Sequence, residues 1–247
     1  MKRTAVDAIF ADPSEIDVEN WPREVAFVPY VGSLYASGID GCRVLLLGES
    51  PYRKEGMTHA PEVTRSHTRS IFSSMATSER SSTDGAYFAP LDRLLTGKES
   101  PSGFDKAEMW KRISFVNLAQ QFAGTASSHR PQAQHLREGG TILAENILPI
   151  LRPHIILVLG RVTWAHFQAG ELAHNVPAFE AERVNRGGGK RRYTARRDVW
   201  MLRYLDSMAL MTWVYHPSWN IDHWQDRAGA LRHLIAQRKL LDSRETE

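Results

Sequence analysis

Four short apolar runs punctuate an otherwise mixed chain, at residues 43–47, 113–118, 154–159 and 211–215. Each is too short for a helix and stops at Gly, Asn or His-Pro. Continuous rather than alternating hydrophobicity over four to six residues predicts strands covered on both faces, as in a parallel sheet. Between them the polar and apolar positions recur at helical spacing. Short helices are expected at 70–75 and 91–95, and another at 105–112 with Asp105 as its N-cap. A longer helix is expected over 134–151, with Leu136, Leu143, Ile147 and Ile150 on one face and Pro149 kinking or ending it. A further helix should begin near Val162. A closing helix spans 222–240, with Ala228, Leu231, Leu234 and Ile235 apolar. Residues 1–40 carry Trp21, Pro13, Pro22 and Pro29 without a clear period and should wrap the core. Alternation of strand and helix predicts an α/β fold, a three-layer α/β/α arrangement around a central four-stranded parallel sheet. No linker divides the chain, so residues 1–247 are expected to form one domain with a basic hairpin inserted near 178–204. The loops at 53–66 and 76–103 are longer than ordinary connections, which marks them as functional segments.

Composition narrows the class. Of 247 residues, 42% are hydrophobic and 24% charged, ordinary values for a globular protein. No apolar run approaches the ~20 residues that span a bilayer. The N-terminus lacks a signal-like apolar core, and a cytoplasmic location is expected. Cys42 is the single cysteine, so no intrachain disulfide and no cysteine-built metal or iron–sulfur site can form. Net charge is only +3, but its distribution is uneven. Arg183, Arg186, Lys190, Arg191, Arg192, Arg196 and Arg197 crowd a stretch that contains Gly187-Gly188-Gly189 and is flanked by Tyr193 and Trp200. Such a hairpin can neutralise phosphates regardless of base sequence, so nucleic acid is the expected partner.

Two of the apolar runs end in motifs with chemical content: Gly48-Glu49-Ser50-Pro51-Tyr52, and His216-Pro217-Ser218. A third ends in Asn117. In open α/β sheets, ligands bind at the carboxyl ends of the strands, where these polar groups would emerge together. An Asn side chain there can read a pyrimidine edge, offering both a donor and an acceptor; otherwise it is a turn former.

This order and spacing of motifs, over residues from about 43 to 222, resembles the uracil-DNA glycosylase superfamily. The resemblance implies that Gly48 to Tyr52 form the floor and one wall of a pocket for a base turned out of DNA. Tyr52 matches a tyrosine that blocks the C5 position of the base. Asn117 matches the residue that reads its Watson–Crick edge. His216 matches a histidine that hydrogen-bonds the base O2 as charge develops on the leaving group. Ser218 matches a phosphate contact, and Trp219 and Asn220 occupy the wedge that enters the duplex. Lys190, Arg191 and Arg192 are candidate DNA contacts from the basic run. The aromatic that stacks on the extruded base is expected to be Phe72, with Phe88 as the second choice. The chain departs from the pattern at Ser50, where the branch with tyrosine carries a water-orienting aspartate. Ser50 is kept as a base-binding position, and the burden of handling water passes to Glu49 or Glu55.

The implied activity is a monofunctional DNA glycosylase without a cofactor or metal, acting as a monomer on duplex or single-stranded DNA. It would excise uracil or a modified pyrimidine, in base-excision repair or in defence against modified phage DNA. The alternative is a non-catalytic nucleic-acid-binding module on the same fold. An unrelated α/β hydrolase is disfavoured by the lack of a Gly-x-Ser-x-Gly elbow and of a Gly-rich phosphate loop. His216, Asp222 and His223 are poorly spaced for a metal site.

Overall fold

The computed structural model describes residues 13–53, 61–77, 85–126, 129–167, 179–185, 199–204, 207–218 and 224–245, with backbone alone for 61–63, 85–86, 179–185 and 244–245. Its centre is a seven-stranded mixed sheet of order β1-β3-β2-β4-β7-β6-β5. The strands are β1 (Tyr30–Val31), β2 (Val44–Gly48), β3 (Ile113–Asn117), β4 (Ile155–Leu159), β5 (Phe179–Asn185), β6 (Val199–Tyr204) and β7 (Ser207–Val214). The four apolar runs are the adjacent strands β3, β2, β4 and β7, each parallel to its neighbour. The sheet is nevertheless larger than four strands. β1 adds antiparallel to β3, and β6 and β5 add antiparallel beyond β7. The expected basic hairpin therefore supplies two strands to the main sheet; Lys190, Arg191 and Arg192, between those strands, lie outside the described residues.

Both faces of the parallel strands are covered, which is why they read as unbroken apolar runs. Side chains alternate across the pleat. Leu45, Leu47, Val116, Ile156 and Val158 face one core with Leu136, Leu143, Ile147, Leu151 and the N-terminal Trp21 and Val25. Val44, Leu46, Phe115, Ile155 and Leu157 face the other, with Phe72, Leu91, Leu94, Trp110, Leu231 and Leu234. The first cover comprises α4 (Ala133–Ile142), a wide π-type turn (Leu143–Ile147) and α5 (Leu148–Leu151), followed after β4 by α6 (Arg161–His166). The second comprises α1 (Pro61–Ser73), α2 (Gly85–Thr96), α3 (Gly103–Trp110) and α7 (Trp224–Glu245).

Several helices differ from expectation for local reasons. α1 begins at Pro61, inside the segment expected to be loop, with a proline at the position where a missing N–H is harmless. α2 runs twelve residues through Pro90, whose presence masked it in the sequence. α3 is capped by Ser102, not Asp105: the Ser102 hydroxyl accepts from the Asp105 amide at 3.1 Å, and Asp105 accepts from the Ser102 amide at 3.1 Å. This reciprocal capping box places Asp105 three residues inside. Pro149 does not end its helix, which continues to Leu151. The π-type turn just before it shifts the hydrogen-bond register, the Leu148 amide donating to Leu143 O, and the helix ends at Arg152 with φ +45°. The N-terminal segment is laced down by arginines of α1: Arg65 donates to carbonyls of Val18, Trp21 and Val25 at 2.8–3.0 Å, and Arg69 to those of Ile16 and Pro29.

Candidate active site

The parallel register sets the level at which the strands stop. Gly48 pairs with Asn117, Leu47 with Val158, and Leu159 with Val214. Asn117, Glu49, Gly160 and His216 therefore emerge within about two residues of one another at the carboxyl edge. The loops after β2 and β3 stay paired beyond the sheet. The Leu118 and Ala119 amides donate to Gly48 O and Glu49 O at 2.9 Å, the Ala123 amide to Pro51 O at 3.0 Å, and the Arg53 amide to Gly124 O at 2.8 Å.

Glycine at 48 is a steric requirement. A Cβ there would collide with Asn117 Oδ1 and lie 2.7 Å from the Phe115 ring. The Asn117 side chain thus packs directly over the Gly48 backbone, at the entrance of the motif. Glu49 and Ser50, only 6% and 7% exposed, turn polar atoms inward. Glu49 Oε2 accepts from Arg130 Nη1 at 3.2 Å, whereas Glu49 Oε1 and the Ser50 hydroxyl are buried with no hydrogen-bond partner among the described residues. Buried polar groups are ordinarily satisfied, so two adjacent orphans at a strand edge mark a place for a ligand or water. Burial pushes the Glu49 carboxyl above its usual range, opposed by the nearby charges of Arg130 and His166.

His216 follows β7. The Ser218 amide donates to His216 Nδ1 at 3.3 Å, so in the neutral ring the proton resides on Nε2. Burial, then Arg130 and Arg227, push its pKa down to about 4, which keeps the imidazole neutral at physiological pH. Arg227 of α7 is fully buried; its Nε donates to Tyr215 O and its Nη2 to His216 O, both at 3.0 Å. Gly160, with φ +110°, passes beneath this loop, donating to Val214 O at 2.8 Å; a Cβ there would touch His216 at 3.5 Å.

Three contributors escaped the sequence reading. Tyr87 of α2 lies with its ring 5.6 Å from His216, and its phenol, raised by burial, also senses Tyr52 and Glu49. Arg130 reaches Glu49 from the loop after β3, and Arg227 holds the His216 loop. None carried a motif: each is a single residue in a segment with no distinctive spacing.

The structure thus gathers Glu49, Ser50, Tyr52, Asn117 and His216 at one edge. It places Phe72 elsewhere. That ring is 4% exposed and stacks on Phe115 at 4.0 Å, among Tyr30, Phe88 and Trp110, so its face is spent in the core. Tyr87, not Phe72, is the α1–α2 aromatic beside His216. Ser218 is exposed. Glu55, Trp219 and Asn220 lie outside the described residues. Among the described residues no cluster of three or more His, Cys, Asp or Glu could hold a metal ion, and no helix is long and apolar enough to cross a membrane.

The carboxyl edge of the parallel sheet thus carries a neutral imidazole, a buried carboxylate and a side-chain amide on an α/β scaffold. The family model described as the uracil DNA glycosylase superfamily matches residues 37–237 of the chain, and the chain belongs to that superfamily. No curated protein matches it. Membership carries a glycosylase-like function in general terms and DNA as the substrate bound.

Proposed function

We propose that the protein is a monofunctional DNA glycosylase that turns a uracil or modified pyrimidine out of DNA and hydrolyses its N-glycosidic bond. The observation that carries this reading is the neutral His216, whose Nδ1 accepts from the Ser218 amide and so leaves Nε2 as the donor, at the same sheet edge as the Glu49 carboxylate, whose Oε1 has no partner among the described residues.

As the bond between C1′ and the base breaks, the electron pair leaves with the base and the sugar becomes oxocarbenium-like. His216 Nε2–H donates to the base oxygen on which that charge gathers, an interaction stronger in the transition state than before it. A donor of this kind contributes about 3 kcal/mol to the rate. Glu49 offsets the positive sugar and accepts the proton of the attacking water, whose oxygen forms the new bond to C1′. The base leaves as its anion and takes up a proton from solvent, Glu49 gives its proton back to solvent, and the products are an abasic sugar and the free base. Asn117 reads the base edge, and Tyr52 limits what fits at C5. Ser50 brings a hydroxyl where a carboxylate would otherwise stand, and of Glu49 and Glu55 this reading gives the water to Glu49, whose Oε1 has no partner among the described residues. Unpairing costs a few kcal/mol, which contacts from Ser218 and the basic run of Lys190, Arg191 and Arg192 help to offset. Repair or removal of foreign modified bases then follows from which base is accepted.

The test is to incubate the metal-free protein with uracil-containing duplex and single strands, and with DNA carrying modified cytosines, then score alkali-sensitive sites. Abasic product that is lost in His216→Ala supports the reading. Salt-dependent binding with no product from any substrate overturns it in favour of a non-catalytic module.

A further inference from the structure

Arg130 has an unusual station. Its side chain is 60% exposed, yet it hydrogen-bonds a carboxylate that is 6% exposed. The contact is end-on, one nitrogen to one oxygen at 3.2 Å, rather than a two-point fork, and Glu49 Oε1 has no partner among the described residues. A guanidinium held by one bond at the mouth of a site can exchange that partner for another anion. The anion that reaches this edge is the DNA backbone, and guanidinium forks match phosphate oxygens well.

We propose that Arg130 is a phosphate-responsive partner of Glu49: paired to the carboxylate in the free protein, it transfers to a backbone phosphate when DNA docks and leaves Glu49 unpaired and more basic. This rests on the reading of Glu49 as the residue that handles water. Among the described residues, the groups that face Glu49 are Arg130 from the loop after β3, His166 from α6, and Tyr87 from α2, whose phenol senses both Glu49 and Tyr52. His216 is a further group whose charge responds to Arg130. Of the cations that lower the Glu49 carboxyl, Arg130 acts most strongly. Withdrawing it, and setting a phosphate nearby, both raise that carboxyl further. The exchange would also keep the carboxylate occupied until substrate is present.

Two measurements test this without requiring turnover. The first is binding of oligothymidylate against salt concentration. Arg130→Gln should flatten the log–log slope by about 0.7, one phosphate's share on a single strand, and Arg130→Lys should restore it. The second is the titration of the Glu49 carboxyl by carbon-13 NMR, with and without the oligonucleotide. In the wild type the oligonucleotide should move the midpoint upward. In Arg130→Gln the midpoint should start higher than in the wild type and move less when the oligonucleotide is added. An unchanged salt slope in Arg130→Gln, or a Glu49 midpoint in the wild type indifferent to DNA, overturns the proposal. The glycosylase reading fails separately, by absence of abasic product while both of these shifts are present. Where uracil is excised, the acid limb of kcat should lie above that of kcat/KM in the wild type, and the gap should narrow in Arg130→Gln.

Discussion

Acidification should weaken this protein through two histidines at opposite ends of the sheet. His216 at the carboxyl edge and His154, just before β4, are each lowered from 6.5 to about 4, with burial the largest cause in both. A group whose folded pKa lies below its unfolded value leaves the unfolded chain holding more protons between the two. Stability is therefore intact above pH 6.5, falls as pH drops through that value, and levels off below about 4. A shift from 6.5 to about 4 corresponds to about 2 kcal/mol lost per histidine between pH 7 and 5. Both rings are partly exposed, and solvent screening brings the expected figure to about 1 kcal/mol each. Glu49 acts in the opposite sense, because its raised carboxyl favours the native state as pH falls. The clean quantity is thus a difference between variants. Urea unfolding of wild type and His216→Gln at pH 7 and pH 5 should show the variant losing about 1 kcal/mol less. His154→Gln provides the matching control away from the site. If His216→Gln loses as much stability as wild type, the ring is not held neutral by burial. A glycosylase pH profile with a limb near 6.5 that vanishes in the same variant would lead to the same rejection.

Gly48→Ala should lower stability by about 1–3 kcal/mol and displace Asn117, because the new methyl collides with that side chain and the Phe115 ring; thermal unfolding and base discrimination measure the two effects. Arg227→Met removes two hydrogen bonds to the Tyr215 and His216 carbonyls, and should cost about 2–3 kcal/mol in urea unfolding and lower kcat more than it raises KM. Asp92→Ala strips the acceptor from Trp110 Nε1, now 2.7 Å away in the core, costing about 1–3 kcal/mol with a change in tryptophan emission.

The strands and their ends were legible because burial on both faces writes a signature that polar alternation cannot blur. Val44 to Leu47 and Ile155 to Leu159 could hardly be anything else, and the motif residues Glu49, Asn117 and His216 sit where strand geometry sends them. The missed parts share one cause: their roles depend on contacts distant in sequence. Tyr87 matters because α2 packs beside the His216 loop, and α2 itself was obscured by Pro90. Arg130 and Arg227 each serve a residue eleven or more positions away, with no local spacing to announce them. Phe72 was assigned by its order in the chain, and order alone could not reveal that Phe115 already occupies its ring face. Asp105 was one turn out because both members of a capping box are acceptable caps taken singly.

The paired loops beyond β2 and β3 carry a thermodynamic consequence. Four backbone hydrogen bonds, from Leu118, Ala119, Ala123 and Arg53, tie the wall bearing Glu49 and Ser50 to the segment that follows Asn117. The conformational entropy of that wall is thus surrendered during folding rather than at the encounter with DNA. Binding free energy can go into unpairing the target base, with little diverted to ordering the receptor. Hydrogen exchange would display this as amides at 118 and 119 protected like strand residues before any DNA is added.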